Sequence, residues 1–142
     1  MSESSLVYVD TSALGALLVA QPHTDALVDW LEQGLVRLVS TDLLETELRR
    51  MAVREGREQS KVSEILDGVS LAALDRATYR SAGFLPMRYL RTLDALHLEA
   101  AIRLDVQAVL TYDSRLGDAA RDAGLDVIAP GSTVSPSGNT KA

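Results

Sequence analysis

Short, unbroken apolar runs alternate along this chain with segments whose apolar residues recur every three to four positions. Leu6, Val7, Tyr8 and Val9 make the first run, continuous enough for a strand buried on both faces. A helix is expected over 13–20, with Thr11 or Ser12 available to cap it. A second helix is expected over 23–33, where Thr24 can cap, Leu27 and Leu31 share a face, and Gly34 supplies the stop. Residues 35–39 read as a strand. The next helix spans 43–55, where Asp42 and Glu45 make a capping box and Gly56 ends the pattern. A more polar helix follows over 58–66, with Val62, Ile65 and Leu66 on one side, then a short strand within 69–74 and a helix over 75–83. Pro86 breaks the pattern. Residues 93–104 then form a helix apolar on two sides, and therefore buried. Last come a strand over 108–112, a helix over 114–123 capped by Ser114 and stopped by Gly124, and a strand over 125–129.

Strands that alternate with helices predict an α/β fold: a three-layer, Rossmann-like sandwich around a central parallel sheet of four or five strands. The 142 residues suffice for one domain with its own core, and 46% of them are apolar. One domain is expected over 1–131. Beyond it, Gly, Ser, Pro, Asn and Thr dominate without any period, so 132–142 reads as a disordered tail. There is no internal repeat. No apolar run is long enough to span a bilayer, and the opening residues lack a basic stretch followed by an apolar one, so a cytoplasmic protein is expected.

Composition narrows the chemistry. With no cysteine, a disulfide scaffold, a thiolate metal site and a cysteine nucleophile are excluded, and with two histidines, His23 and His97, a histidine-rich zinc site is disfavoured. No GxGxxG, GxxxxGK[ST] or GxSxG motif is present, which removes dinucleotide, P-loop and serine-hydrolase readings. An aspartyl-phosphate phosphatase would want an acid two residues after Asp10, where Ser12 stands. The net charge of −6 opposes broad attraction to nucleic acid. Basic residues are nevertheless dense at Arg49, Arg50, Arg54, Arg57 and Lys61, and again at Arg76, Arg80, Arg88 and Arg91. Either set is a phosphate-contacting rim or simply a solvated helix face.

The carboxylates are the more telling feature. Two apolar runs each end in an aspartate, Asp10 and Asp113, and ligands of open α/β sheets bind at the carboxyl ends of strands. Singly, each aspartate reads equally well as a helix cap, and Ser114 competes with Asp113 for that role. Glu47 discriminates better, because at about 100° per residue it falls in the middle of the face made by Leu43, Leu44, Leu48 and Met51. A carboxylate there is costly unless something satisfies it, a metal or an ion pair with Arg50 or Arg54. Glu45 projects away and has the cap as its explanation. Asp94 opens an otherwise apolar helix. His97, one turn on, can hydrogen-bond a site carboxylate, although a satisfied core histidine is the commoner case. Four carboxylates brought together repel by roughly 4 kcal/mol per contacting pair at an effective dielectric of about 20, so such a cluster points to a divalent cation.

These same residues resemble a known family. Val7 through Leu14, with Asp10, Thr11 and Ser12 at the centre, looks like the opening of PIN-domain proteins, specifically the VapC toxins of bacterial toxin–antitoxin pairs. Ser40 through Arg49, with Glu47 before Leu48, resembles the family's second block, and Leu93 through Ala101 its third. Thr111 through Leu116, followed by Ala119, Ala120, Gly124 and Leu125, resembles the fourth. The likeness runs from Leu6 to about Gly131, four blocks in order; Glu45 beside Glu47 and the tail are its departures.

The resemblance implies a Mg²⁺- or Mn²⁺-dependent endoribonuclease toxin that forms homodimers and is silenced by a cognate VapB-like antitoxin. Asp10 and Asp94 would then be direct metal ligands, with Asp113 a ligand or a water-mediated partner, and Glu47 would act on a water or a second ion. Thr11, Ser12 and Thr111 would support them by hydrogen bonds. A non-cleaving module that grips RNA or protein stays open beside this reading, as does a metal-dependent phosphatase of small esters.

Overall fold

The structure, a computed structural model, describes residues 5–132. The expected tail lies outside that range, apart from Ser132. Five strands make one sheet: β1 (Ser5–Val9), β2 (Val36–Thr41), β3 (Val69–Ala72), β4 (Ala108–Leu110) and β5 (Asp126–Ile128). Their order is β3-β2-β1-β4-β5, and every pairing is parallel. Register puts Val7 against Leu38 on one side and Ala108 on the other. The chain therefore winds outward from β1 in one direction, then returns to β1's other edge and winds the opposite way.

Seven helices cover the sheet: α1 (Thr11–Leu18), α2 (Thr24–Glu32), α3 (Asp42–Glu55), α4 (Gln59–Leu66), α5 (Arg76–Ala82), α6 (Thr92–Arg103) and α7 (Ser114–Asp122). The pleat sorts the strand residues into two cores. Val7, Val9 and Leu110 point to a core shared with Leu14, Leu27, Leu44, Leu48 and Val62 of α1–α4. Tyr8, Val39, Val109 and Val127 point the other way, against Leu98, Ala101, Leu116 and Ala119 of α6 and α7. Sheet and two helical layers make the expected three-layer α/β sandwich.

Helix termini departed from expectation in a consistent way. Asp10, not Thr11 or Ser12, caps α1 by accepting from the Ala13 amide, and Asp113, not Ser114, caps α7 by accepting from Leu116. The Asp42–Glu45 capping box does not form: Thr41 is the N-cap of α3 without a side-chain bond, and Glu45 pairs with Arg49 at 2.8 Å. Thr24 does not cap α2 either. Its hydroxyl donates to the Ala16 carbonyl at 2.9 Å and accepts from the Gln21 amide at 2.8 Å, stitching α1 to α2. Where a neighbouring element offers a partner, the tertiary bond displaces the local one. Gly56 does end α3 as expected, at φ 65°, a conformation costly for any residue with a Cβ.

Leu48 is fully buried between α3 and the sheet. Leu48→Ala should destabilise the protein by about 2–5 kcal/mol through lost burial and a residual cavity. The check is the urea midpoint, which should fall while the slope of the transition stays constant.

Candidate active site

Wherever a doubly wound sheet reverses direction, a crevice opens at the carboxyl ends of the two strands that flank the reversal. Here those strands are β1 and β4. Asp10 is the first residue after β1 and is 4% exposed. Its Oδ1 accepts from the Ser12 hydroxyl at 2.8 Å and the Ala13 amide at 3.3 Å, and its Oδ2 accepts from the Thr111 hydroxyl at 2.8 Å. The same hydroxyls reach back into the chain after β4. Ser12 Oγ accepts from the Tyr112 amide at 2.8 Å, and Thr111 Oγ1 accepts from the Asp113 amide at 3.0 Å. The strand expected over 108–112 ends at Leu110 because these groups bend the backbone toward Asp10. Asp10 is thus helix cap and crevice carboxylate together.

Glu47 lies on α3, half-buried, between Leu44 and Leu48. Its Oε1 accepts from the Thr11 hydroxyl at 2.6 Å and from His97 Nε2 at 2.8 Å. The rival partners Arg50 and Arg54 form no ion pair among the described residues. His97 is buried in α6, and its Nδ1 stands 2.7 Å from the Tyr8 hydroxyl, which lies 3.3 Å from Thr41 Oγ1. The neutral ring can donate from Nε2 to Glu47 and accept at Nδ1 from Tyr8; the charged ring donates from both nitrogens, to Glu47 and to the Tyr8 oxygen. The choice between core histidine and site histidine was therefore a false one, since His97 is both. Its spacing of three from Asp94 on one helix was the signal. Tyr8 carried no such signal, being one apolar-run residue among four.

Asp94 is half-buried in the first turn of α6, and Asp113 half-buried at the start of α7. Burial raises the Asp94 carboxyl above its ordinary range, and the negative charges of Asp113 and Glu47 add to that rise against the opposing pull of His97 and Arg91. The structure thus brings Asp94 within electrostatic reach of Asp113 and Glu47, while Asp10 and Glu47 both feel His97. Burial also pushes Asp10 up to about 6, although His97, the two hydroxyls and the Ala13 amide favour its charged form. Glu47 goes the other way. Its burial is outweighed by the hydrogen bond and charge of His97 and by Thr11, so it is held below the usual carboxylate range.

The donor set is oxygen only, hard and negatively charged, which suits a dication such as Mg²⁺. It is not a preformed cage: among the described residues no three His, Asp or Glu side chains stand close enough to hold one ion. The physical reason lies partly in Asp10, whose two oxygens are already engaged by hydroxyls. Such geometry matches an ion that keeps most of its waters and takes one or two carboxylates.

Ionised Asp10 is a burden on the metal-free protein. Its folded pKa lies above the ordinary 3.8, so its contribution is fully favourable below about pH 3.8 and is lost as pH rises through about 6. A shift of about two units corresponds to roughly 3 kcal/mol. Asp10→Asn, which removes the charge and keeps the shape, should raise the thermal midpoint in EDTA at pH 8, by less at pH 6 and hardly at all at pH 4. A lower midpoint at pH 8 would refute this account of Asp10.

Comparison with known proteins agrees with this geometry. The PIN domain family model matches residues 7–122. Ribonuclease VapC46 of Mycobacterium tuberculosis is 39% identical over 127 residues, covering 87% of this chain and 97% of its own. Ribonuclease VapC47 of the same species is 36% identical over 134 residues, covering 89% and 98%. Two solved structures share the fold at low identity. VapC20 of M. tuberculosis, described as a Sarcin-Ricin loop cleaving toxin, superposes at a TM-score of 0.68 with 14% identity, covering 84% of this chain and 95% of its own. VapBC2 of Rickettsia felis, bound to a DNA fragment from its promoter, superposes at 0.70 with 15% identity, covering 88% and 98%. PIN-domain VapC ribonucleases are metal-dependent as a family. With the family model matched over most of its length and these relatives beside it, the chain belongs to the PIN-domain family and, within it, to the VapC ribonucleases.

Proposed function

We propose that this protein is a Mg²⁺- or Mn²⁺-dependent endoribonuclease that acts in the cytoplasm as the toxin of a toxin–antitoxin pair, as a homodimer restrained by a VapB-like antitoxin. The observation that carries the reading is the concentration of acids: burial raises the Asp94 carboxyl, and the charges of Asp113 and Glu47 add to that rise against His97 and Arg91. Family membership supports the same reading. No helix among the described residues is long and apolar enough to cross a membrane. The functional unit is one domain.

In this reading Asp10 and Asp94 would hold the ion, and Asp113 would reach it directly or through a water. When bound, such an ion would make a water more acidic and stabilise negative charge on the phosphodiester. Glu47, with its carboxyl held down by His97 and Thr11, stays ionised at neutral pH and can orient that water or take its proton. Ser12 and Thr111 fix the rotamer of Asp10, while Tyr8 fixes His97, so the acids are aimed before substrate arrives. No covalent intermediate is needed. Until a cation binds, the crevice repels RNA, and an antitoxin that inserts a cationic side chain would neutralise it without enabling cleavage.

One rival is a module that grips RNA without cutting it, favoured by the fact that among the described residues no three ligand side chains form one group. Two measurements separate them. Mn²⁺ titrated by calorimetry should show specific uptake that weakens on Asp94→Asn. Mapped RNA ends should show Mg²⁺-dependent cleavage by the wild type that EDTA abolishes and Asp94→Asn reduces by on the order of a hundredfold. Full cleavage by Asp94→Asn would sink the mechanism, and an absence of both uptake and cleavage would favour the module.

A further inference from the structure

The carboxylate crevice explains how RNA would be cut and leaves open how so acidic a protein holds RNA at all. Between Arg76 and Arg91 the chain carries four arginines and no acid, in a protein whose net charge is −6. Arg76, Arg80, Arg88 and Arg91 are all exposed, and none makes a side-chain hydrogen bond or ion pair among the described residues. The nearest preceding acid, Asp75, is committed to capping α5 through the Thr78 amide and hydroxyl. The other basic set is interrupted by acids and partly bound. Arg49 is bound to Glu45, Gln59 and Ser63, and Glu55 and Glu58 interrupt the run toward Lys61.

Aromatic rings lie within the same segment. Phe84 is 76% exposed and Tyr79 is 54% exposed, the one in the α5–α6 connector and the other on α5. Beside them runs a groove of about 350 Å³ lined by Tyr79, Leu85, Met87, Leu90, Thr92 and Ala95, among others. Its last two residues bracket the start of α6, where Asp94 sits, and the charge of Arg91 is felt at Asp94 itself. The connector is anchored rather than loose at this end. The Tyr89 hydroxyl donates to Asp122 of α7 at 2.6 Å, and Leu85, Met87 and Leu90 pack on the second core.

Resting on the ribonuclease reading above, we propose that α5 and the connector to α6 form the platform that receives single-stranded RNA on its way to the crevice. Phe84 and Tyr79 stack on bases, and Arg80 and Arg88 contact phosphates. Unpaired bases offer π-faces to exposed rings while the backbone follows the cations, the combination by which single strands are bound without strict sequence preference. A second copy of the chain fits the same face less well. A two-fold contact sets a patch against itself, so arginine would meet arginine with no acid in the segment to pair them.

The test is fluorescence anisotropy of a labelled single-stranded RNA 12-mer of mixed sequence, in EDTA so that nothing is cleaved, across a range of salt. Phe84→Ala should raise Kd roughly tenfold. The double variant Arg80→Gln/Arg88→Gln should flatten the dependence of log Kd on log salt by about 1.4, at about 0.7 per lost phosphate contact. Arg54→Gln/Arg57→Gln, from the other basic set, should change neither. An unchanged Kd and slope in both platform variants, or the effect appearing in the Arg54/Arg57 pair, overturns the platform. So does a fall to half the molecular mass on light scattering for Phe84→Ala, which would make this face an interface between copies. Cleavage in Mg²⁺ is followed in parallel: a wild type that cuts RNA while the platform variants bind it normally refutes only the platform. A wild type that binds through the platform but never cuts refutes only the nuclease.

Discussion

The buried carboxylate of Asp10 is the constraint around which the crevice is arranged. It stands where the sheet reverses, almost out of contact with solvent, and a charged group there must be compensated within the protein. Ser12, Thr111 and the Ala13 amide supply that compensation. Their other bonds then set the surroundings: the Tyr112 and Asp113 amides are drawn to the same two hydroxyls, which ends β4 and aims the start of α7 into the crevice. One acid thereby fixes the position of another contributed by an element about a hundred residues further along.

Glu47 on α3 shows how environment sorts like groups into different roles. Asp10 and Glu47 are both withdrawn from water, yet their pKa values move in opposite directions. Burial dominates for Asp10. For Glu47 the balance is tipped by a histidine whose far nitrogen is held by Tyr8. The hydrogen-bonded line from Tyr8 through His97 to Glu47 and Thr11 also joins the two helical layers past the end of the sheet, since α6 packs on one face and α3 on the other. Fixed partners of this kind hold acids apart in protonation while keeping them near in space.

Much of this architecture is visible in the order of residues. Unbroken apolar runs at 6–9 and 108–110 suit strands covered on both faces, and the segment over 93–104, apolar on two sides, suits a buried helix. The position of Glu47 on an apolar face marked it as needing a partner. Which partner it takes was not legible, because His97 is fifty residues away and nothing local links the two. The caps failed for a related reason. Thr11, Ser12 and Thr24 had the right chemistry to cap their helices, but folding gave Thr11 the Glu47 carboxylate, Ser12 the Tyr112 amide and Thr24 the Ala16 carbonyl, while α1 and α7 are capped by the aspartates that precede them.

By itself, then, the sequence determined the elements, their parallel arrangement and the placement of aspartates at the ends of strands and the starts of helices. These follow from periodicity and from the preference of short polar side chains for helix starts, both of which act over a few residues. Only the tertiary structure decided what each acid touches, which way its proton equilibrium is pushed, and that no three of them form a ready-made cage. Burial and through-space charge govern those outcomes, and both depend on groups that the chain keeps far apart until the two halves of the sheet close on β1.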